Sequence, residues 1–443
     1  MIRMTPRQAP SRRLGRISFL AAAATTALVV TGCASSSDTA SPATASAAPG
    51  VSAAADANAV TDYVAYTGGT QGKADSGKSP VTIGWLNQQG GALGFPSATE
   101  GAQAAVDYVN TQLGGIDGHP LALSTCYVAE NEQEGNACGL KLVNDKSVTT
   151  VLYGTLISGD QAFQAVNKGQ KPVLMGNSIS PVDAVAKNVY IYNGNPNSIF
   201  SGLASYASSV VKAKTVAVIY PQDAQSTAGV AILEKALTSV GVQMKAVGFD
   251  PSSTNLTGAA VAAGVQSADM VVPLVSTPPA CIAAAKALDS LSVKAPVVAT
   301  GSFCFTTATA QGLGGEAPKW QSLSTQTNVA DRSLPDVKAY LDASSAAGLP
   351  AQSQTTSDAT LAWGLVLTAT RLLKEAGGAQ ASETTIAAAA KDFEGPMLLG
   401  SSEIKCGAVA GQPGLCGAQT RVFKHTGGGA FQAVTDWLAP AGM

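Results

Sequence analysis

From residue 81 onward, short runs rich in β-branched and aromatic residues alternate with longer stretches whose apolar positions recur at helical spacing. Strands are predicted at residues 81–86, 121–124, 149–153, 173–175, 215–220, 243–248, 270–275, 296–300 and 321–324, with helices between them at 99–113, 226–240 and 279–291. Gly114 and Gly241 close two of these helices. Strands alternating with helices imply parallel sheets covered on both faces, an α/β fold. About 360 residues is more than one core usually holds, so two doubly wound units are expected. The last part changes character. A long helix over 358–375 ends at Gly377 and Gly378, another spans 382–391, and strand-like pieces follow near Val422 and over 431–437. The chain is therefore expected to return to lobes that it has already built.

Before this pattern begins, the order is that of an export signal. Arg3, Arg7, Arg12, Arg13 and Arg16 form a basic region without an acid, and an apolar run follows from Ile17 to Val30. That run is about 14 residues, short of the about 20 that a membrane span needs. Val30-Thr31-Gly32-Cys33 reads as a lipobox and resembles those of bacterial lipoproteins, so residues 1–32 are expected to be removed and Cys33 lipidated. Residues 33–79, rich in Ala, Ser, Thr, Gly and Pro, are expected to form a flexible tether at the outer face of the bacterial cytoplasmic membrane. Within it, Gly72-Lys73-Ala74-Asp75-Ser76-Gly77-Lys78-Ser79 matches the phosphate-binding pattern G-x-x-x-x-G-K-S. Such a loop needs a strand before it and a helix after it, whereas here Pro80 leads into a strand. Nucleotide binding is accordingly not expected.

Charge narrows the partners. The whole chain has a net charge of −2, and loss of the five arginines of residues 1–32 takes it to −7, which disfavours a nucleic-acid partner. Besides Cys33, six cysteines remain, an even number in an oxidising location. Sequence alone does not choose among their connectivities. Nearness along the chain favours Cys126 with Cys138, Cys281 with Cys304, and Cys406 with Cys416. A metal or redox centre has little support, since there is no Cys-x-x-Cys and only His119 and His425 stand by. No nucleophile elbow or zinc-protease motif occurs, and Glu130, Glu132 and Glu134 read as a solvated helix start rather than a hydrolytic pair. The protein is therefore expected not to be an enzyme, and no cofactor or metal is expected. A secreted hydrolase is the weakest alternative.

Several segments together resemble the type I periplasmic solute-binding proteins, the Leu/Ile/Val-binding group. These are Ile83-Gly84-Trp85-Leu86, the Gly-rich loop to Phe95, the helix through Gly101 and Ala104 to Asn110, and Gly114-Gly115-Ile116-Asp117-Gly118-His119-Pro120-Leu121. Val151-Leu152-Tyr153-Gly154 with Ser158, Pro172-Val173-Leu174-Met175, and Val216-Ala217-Val218-Ile219-Tyr220 with Gly229 extend the likeness. The resemblance implies a clamshell of two lobes joined by three crossovers. Residues 80–197 with 326–397 would form the N-terminal lobe, and 198–325 with 398–443 the C-terminal lobe. It further implies a carrier of a small polar or amino-acid-like solute, serving an ABC permease with a separate ATPase; a monomer, lipid-anchored through Cys33, is expected. A ligand sensor or cell-envelope interaction protein of the same fold is the alternative.

In open parallel sheets, ligands sit beyond the carboxyl ends of the strands. Ser158, beside Gly159, matches the family's serine that receives a ligand carboxylate, and Ser178 and Ser180 lie where a second hydroxyl and a backbone contact fall. Phe95 is a candidate apolar wall. In the second lobe the family's amino-acid binders place an acid and a tyrosine around the α-ammonium. Here the matching loops read Gly301-Ser302-Phe303-Cys304 and Val275-Ser276-Thr277-Pro278, with no carboxylate in either. A buried ammonium without a counter-charge costs several kcal/mol. A zwitterionic amino acid would then need Asp160 or Asp223 to reach in. Otherwise Gln225, Thr277, Ser302 and Phe303 suit a neutral, amide-bearing, hydroxylated or aromatic solute.

Overall fold

The structure, a computed structural model, describes residues 59–91 and 94–442. The expected signal segment, residues 1–32, and Cys33 lie outside the described residues.

The first sheet contains β1 (Val81–Gln88), β2 (Leu121–Val128), β3 (Val148–Tyr153), β4 (Val173–Asn177) and β5 (Val189–Gly194), all parallel, in the order β2-β1-β3-β4-β5. The near-continuous burial of β1, β3 and β5 follows from helices on both faces. One face carries the helices Pro96–Gln112 and Ser357–Glu375, the other Glu132–Asn144 and Asp160–Asn167. Ser357–Glu375 is buried almost all round, with Trp363 and Leu365 fully enclosed. It crosses Pro96–Gln112 at Gly101, where an added Cβ would collide with the Ala359 backbone. That close approach lets a single layer of side chains seal the core.

The second sheet repeats the plan. β6 (Thr215–Pro221), β7 (Gln243–Phe249) and β8 (Met270–Pro273) run parallel in the order β7-β6-β8, and a bridge from Val271 to Val297 continues toward β9 (Val298–Ala299). β10 (Gln321–Ser324) is parallel to β9. β11 (Arg421–Gly427) and β12 (Ala430–Ala433) then add an antiparallel edge. Helices Pro196–Ser205 and Ala224–Ser239 cover one face, and Thr257–Ala263 and Pro278–Ser290 the other. The chain passes between the sheets three times: after β5, after β10, and after helix Glu383–Lys391 on its way to β11. Two doubly wound parallel sheets were expected, and two are present.

Two expectations need correction. β5 was missing from the predicted strands although its Val189-Tyr190-Ile191-Tyr192 is entirely buried. The tyrosine hydroxyls donate to the Ala387 and Ala390 carbonyls at 2.9 and 3.1 Å, partners that a local pattern does not reveal. The described part of the expected tether, moreover, is folded onto the first lobe. Helix Tyr63–Thr67, capped by Asp62, buries Tyr63 among Tyr108 and Trp363, and Gly72 bridges to Leu113. The folded part of the first lobe therefore includes Val60 and the residues that follow it. The phosphate-loop look-alike forms part of this strap: Lys78 Nζ donates to the Asp117 carbonyl at 3.0 Å, and β1 follows rather than a helix. The cysteines pair as adjacency favoured, Cys126–Cys138, Cys281–Cys304 and Cys406–Cys416.

Candidate ligand-binding cleft

The carboxyl ends of both sheets contribute to one cleft of about 660 Å³. Its walls come from the loops after β4 and β5 on one side and after β6, β8 and β9 on the other, where doubly wound sheets place ligands. Val185, Phe200, Ile232 and Leu274 give it an apolar body, while Asn195, Ser226, Ser276 and Thr300 supply polar points. Asp223 is the charged residue among its lining, and no lysine, arginine or histidine joins it. Both Asp223 oxygens already serve as a helix cap, accepting from the Ser226 amide at 2.7 Å and its hydroxyl at 2.9 Å. These hydrogen bonds hold its pKa below the ordinary carboxylate value.

At one end of the cleft the crossings meet. Asn195 Nδ2 donates to Gln412 Oε1 at 2.7 Å, linking the first crossing to the third. Gln412 sits within the loop that Cys406–Cys416 closes. Thr325 Oγ1 donates to Asn177 Oδ1 at 3.1 Å, and the Ser401 amide donates to Asn193 Oδ1 at 3.1 Å. Cys281–Cys304 joins the segments that follow β8 and β9, both of which border the cleft.

A second, much smaller chamber of about 10 Å³ lies in the first lobe beneath residues 178–180. Asp160 and Asp183 line it, both almost wholly buried. Ser178 Oγ is 2.8 Å from Asp183 Oδ2, and Gln164 Nε2 donates to Oδ1 at 3.4 Å. Burial, and next the charge of Asp160, push the Asp183 pKa up to about 7. Burial also raises the Tyr153 hydroxyl, with Asp183, Asp160 and Glu132 adding to the effect.

The candidate residues fare unequally. Ser180 and Gln225 line the cleft, and Ser178 and Ser180 line the chamber. Ser158 is beside them in the fold, its hydroxyl buried without a partner, but its amide donates to Gln88 Oε1 at 3.3 Å, as does that of Ile157 at 2.8 Å. Gly159 and Ala162 donate their amides to the Glu132 carboxylate, both at 2.8 Å. Glu132, expected to be only a solvated helix start, thus occupies donors at the start of helix Asp160–Asn167. Phe95 precedes a helix and packs partly against the first core, its carbonyl accepting from Asn87. Thr277 caps helix Pro278–Ser290. Ser302 and Phe303 are exposed beside the cleft rather than among its lining, where Thr300 stands instead. Asn195, Phe200 and Gln412 were not singled out: Asn195 caps helix Pro196–Ser205 and Phe200 lies within it, while Gln412 sits in an irregular crossing that carries no period.

Two lobes of the same winding with a cleft between their strand ends define a binding protein of the two-lobed type. A family model described as periplasmic binding protein matches residues 80–426, and the chain belongs to that family. It is a family of binding proteins, not of enzymes. No curated protein matches the sequence significantly. Among solved structures, a leucine-binding protein LivK from Thermotoga maritima is similar at 15% identity, covering 81% of this chain and 99% of its own, with a TM-score of 0.61. A solute-binding protein of an ABC transporter from R. palustris in complex with 4-hydroxybenzoate matches at 14% identity over 82% and 98%, with a TM-score of 0.62. The branched-chain amino acid transporter substrate-binding protein LivJ from Streptococcus pneumoniae, in complex with isoleucine, matches at 20% over 80% and 100%, with a TM-score of 0.57.

Proposed function

We propose that the protein is the solute receptor of an ABC importer, held by lipid on Cys33 at the outer face of the bacterial cytoplasmic membrane. It captures a small solute between its lobes as a monomer and presents it to a permease driven by a separate ATPase. The observation that carries this reading is the 660 Å³ cleft built from the strand ends of both sheets, with chain crossings at one end. The lobes are taken as residues 80–197 with 326–418, and 198–325 with 419–443, so that the crossings serve as hinges. The expected switch at 398 comes too early, because Leu398, Leu399, Ile404, Leu415 and Cys416 pack in first-lobe cores. Closure desolvates the solute, and the permease reads the closed form as a shift of population.

The lining supports an amphipathic solute over a compact polar one. Apolar walls favour a hydrocarbon or aromatic body, and Asn195, Ser276 and Thr300 offer hydrogen bonds at defined points. The resembling proteins span this range, with isoleucine in one and 4-hydroxybenzoate in another. The test is a thermal-shift screen of the full chain in detergent against amino acids, amides, amines, polyols and aromatic acids, with scattering in parallel. A saturable rise in Tm with a smaller radius of gyration is expected. Silence across the panel without compaction overturns the reading.

A further inference from the structure

We propose that the chamber beneath Ser178–Ser180 is the head-group subsite of the cleft, and that it receives the ammonium of a hydrophobic primary amine lacking a neighbouring carboxylate. The inference rests on the solute-receptor reading and names the class of solute.

Space comes first. At about 10 Å³ the chamber admits one group of the size of a water molecule. Ile179 and Ser180 line both the chamber and the 660 Å³ cleft, so a solute whose body lies along Val185, Phe200 and Leu274 can place one end in the chamber.

Chemistry comes second. Asp160 lines the chamber, is only 7% exposed, and its Oδ2 has no hydrogen-bond partner. A buried carboxylate oxygen without a donor is costly, and the complement that removes the cost is a cationic donor. Asp183 is the second acceptor of the chamber, with Ser178 beside it. An ammonium is compact and carries three donors, which suits two carboxylates and a hydroxyl.

The same groups exclude a carboxylate. The amides of Ile157, Ser158, Gly159 and Ala162 are engaged by Gln88 and Glu132. Glu132, Asp160 and Asp183 all act on Tyr153, so three acids gather near the place where the family resemblance puts a ligand carboxylate. A solute carboxylate in a poorly solvated chamber lined by Asp160 and Asp183 is repelled. Glu132 thus occupies the Gly159 and Ala162 amides, donors at the start of helix Asp160–Asn167 that a solute's acid would otherwise use.

The test is calorimetric titration of the full chain in detergent with a matched series: phenethylamine, 2-phenylethanol, 3-phenylpropanoate, phenylalanine, ammonium chloride and sodium chloride. Phenethylamine is expected to bind saturably and at least tenfold more tightly than the alcohol, with no binding of the acid, the amino acid or either salt. Asp160→Asn is expected to weaken the amine at least tenfold and leave the alcohol unchanged. Ile179→Trp, at an exposed position that needs no refolding of the core, is expected to block the chamber and abolish the preference for amine. Equal or tighter binding of 3-phenylpropanoate or phenylalanine overturns the proposal, as does an Asp160→Asn variant with unchanged amine affinity. Saturation by ammonium or sodium chloride alone, marking a free-cation site, overturns it too. If nothing in this series binds but another solute class closes the lobes, the subsite falls and the receptor stands; if no solute of any class binds, both fall.

Discussion

At the strand ends of the first lobe stand Glu132, Asp160 and Asp183, with four loop amides already engaged by the chain's own side chains. The second lobe faces them with Phe200, Ile232, Leu274 and Val275, and with the hydroxyls of Ser226, Ser276 and Thr300. Both lobes are wound alike, so topology does not cause the difference. It arises from which side chains the loops carry, and it divides the labour of recognition: charge and a tight chamber on one side, apolar area on the other. A solute that satisfies both has a polar donor at one end only.

The second lobe's edge depends on its staple, and this is where the largest effect is expected. Replacing Cys281 and Cys304 together by Ala removes a link between the segments after β8 and β9 and should cost about 3 kcal/mol in guanidinium unfolding. The corresponding Cys126 and Cys138 replacement in the first lobe closes a shorter loop and should cost roughly 0.5 kcal/mol less. Equal affinity for solute after the first replacement would show that the second-lobe loops do not shape the cleft.

The first lobe's edge is instead set by charge. Asp183 has a folded pKa of about 7 against an ordinary 3.8, because burial and Asp160 disfavour its ionised form. Asp160, Ser178, Gln164 and Tyr153 are the groups that face it. The folded state binds this proton more tightly than the unfolded chain does. Its contribution to stability therefore declines as pH rises from about 4 to about 7 and is flat above that. Asp183→Asn keeps an acceptor for Ser178 and removes the buried charge. Urea unfolding is expected to show the variant more stable than the parent by on the order of 1–3 kcal/mol at pH 8 and by little at pH 4. A difference that does not shrink on acidification would mean that the carboxyl is not held against its charge.

The smallest effect sharpens the contrast between the two aspartates nearest the cleft. Asp223 is exposed and uses both oxygens on Ser226, so Asp223→Ala should lower stability by about 1 kcal/mol through loss of a helix cap. Amine affinity should stay within about threefold, whereas the Asp160 variant loses it. Comparable losses in both titrations would place the head group in the second lobe.

Much of this was open to reading along the chain. β10 begins and ends where predicted, and the helix Ser357–Glu375 starts one residue before its predicted start. The misses have physical causes. β5 is buried along its whole length, so it has no alternation of buried and exposed positions, and its two tyrosine hydroxyls find their acceptors in a helix nearly two hundred residues on. The strap from Tyr63 to Ser79 has the composition of a linker, yet Tyr63 against Trp363 and Tyr108, and Tyr66 bonded to Thr368 and the Pro396 carbonyl, dock it. At the site, Ser180 and Gln225 were legible because they follow strands. Thr277 and Asp223 fell to the equally local task of capping helices, a role that sequence marks no differently.

What the sequence determined by itself was the alternation of strand and helix and the winding of the sheets that follows from it; for the cysteines it offered only a preference for near neighbours. These depend on period and on short loops, which are local quantities. Only the tertiary structure decided which polar groups at the strand ends remain available. Gln88 meets the Ser158 amide across 70 positions, and Glu132 meets Gly159 across 27. A donor's availability depends on every neighbour that folding brings to it, and that neighbourhood exists only once the lobes are packed.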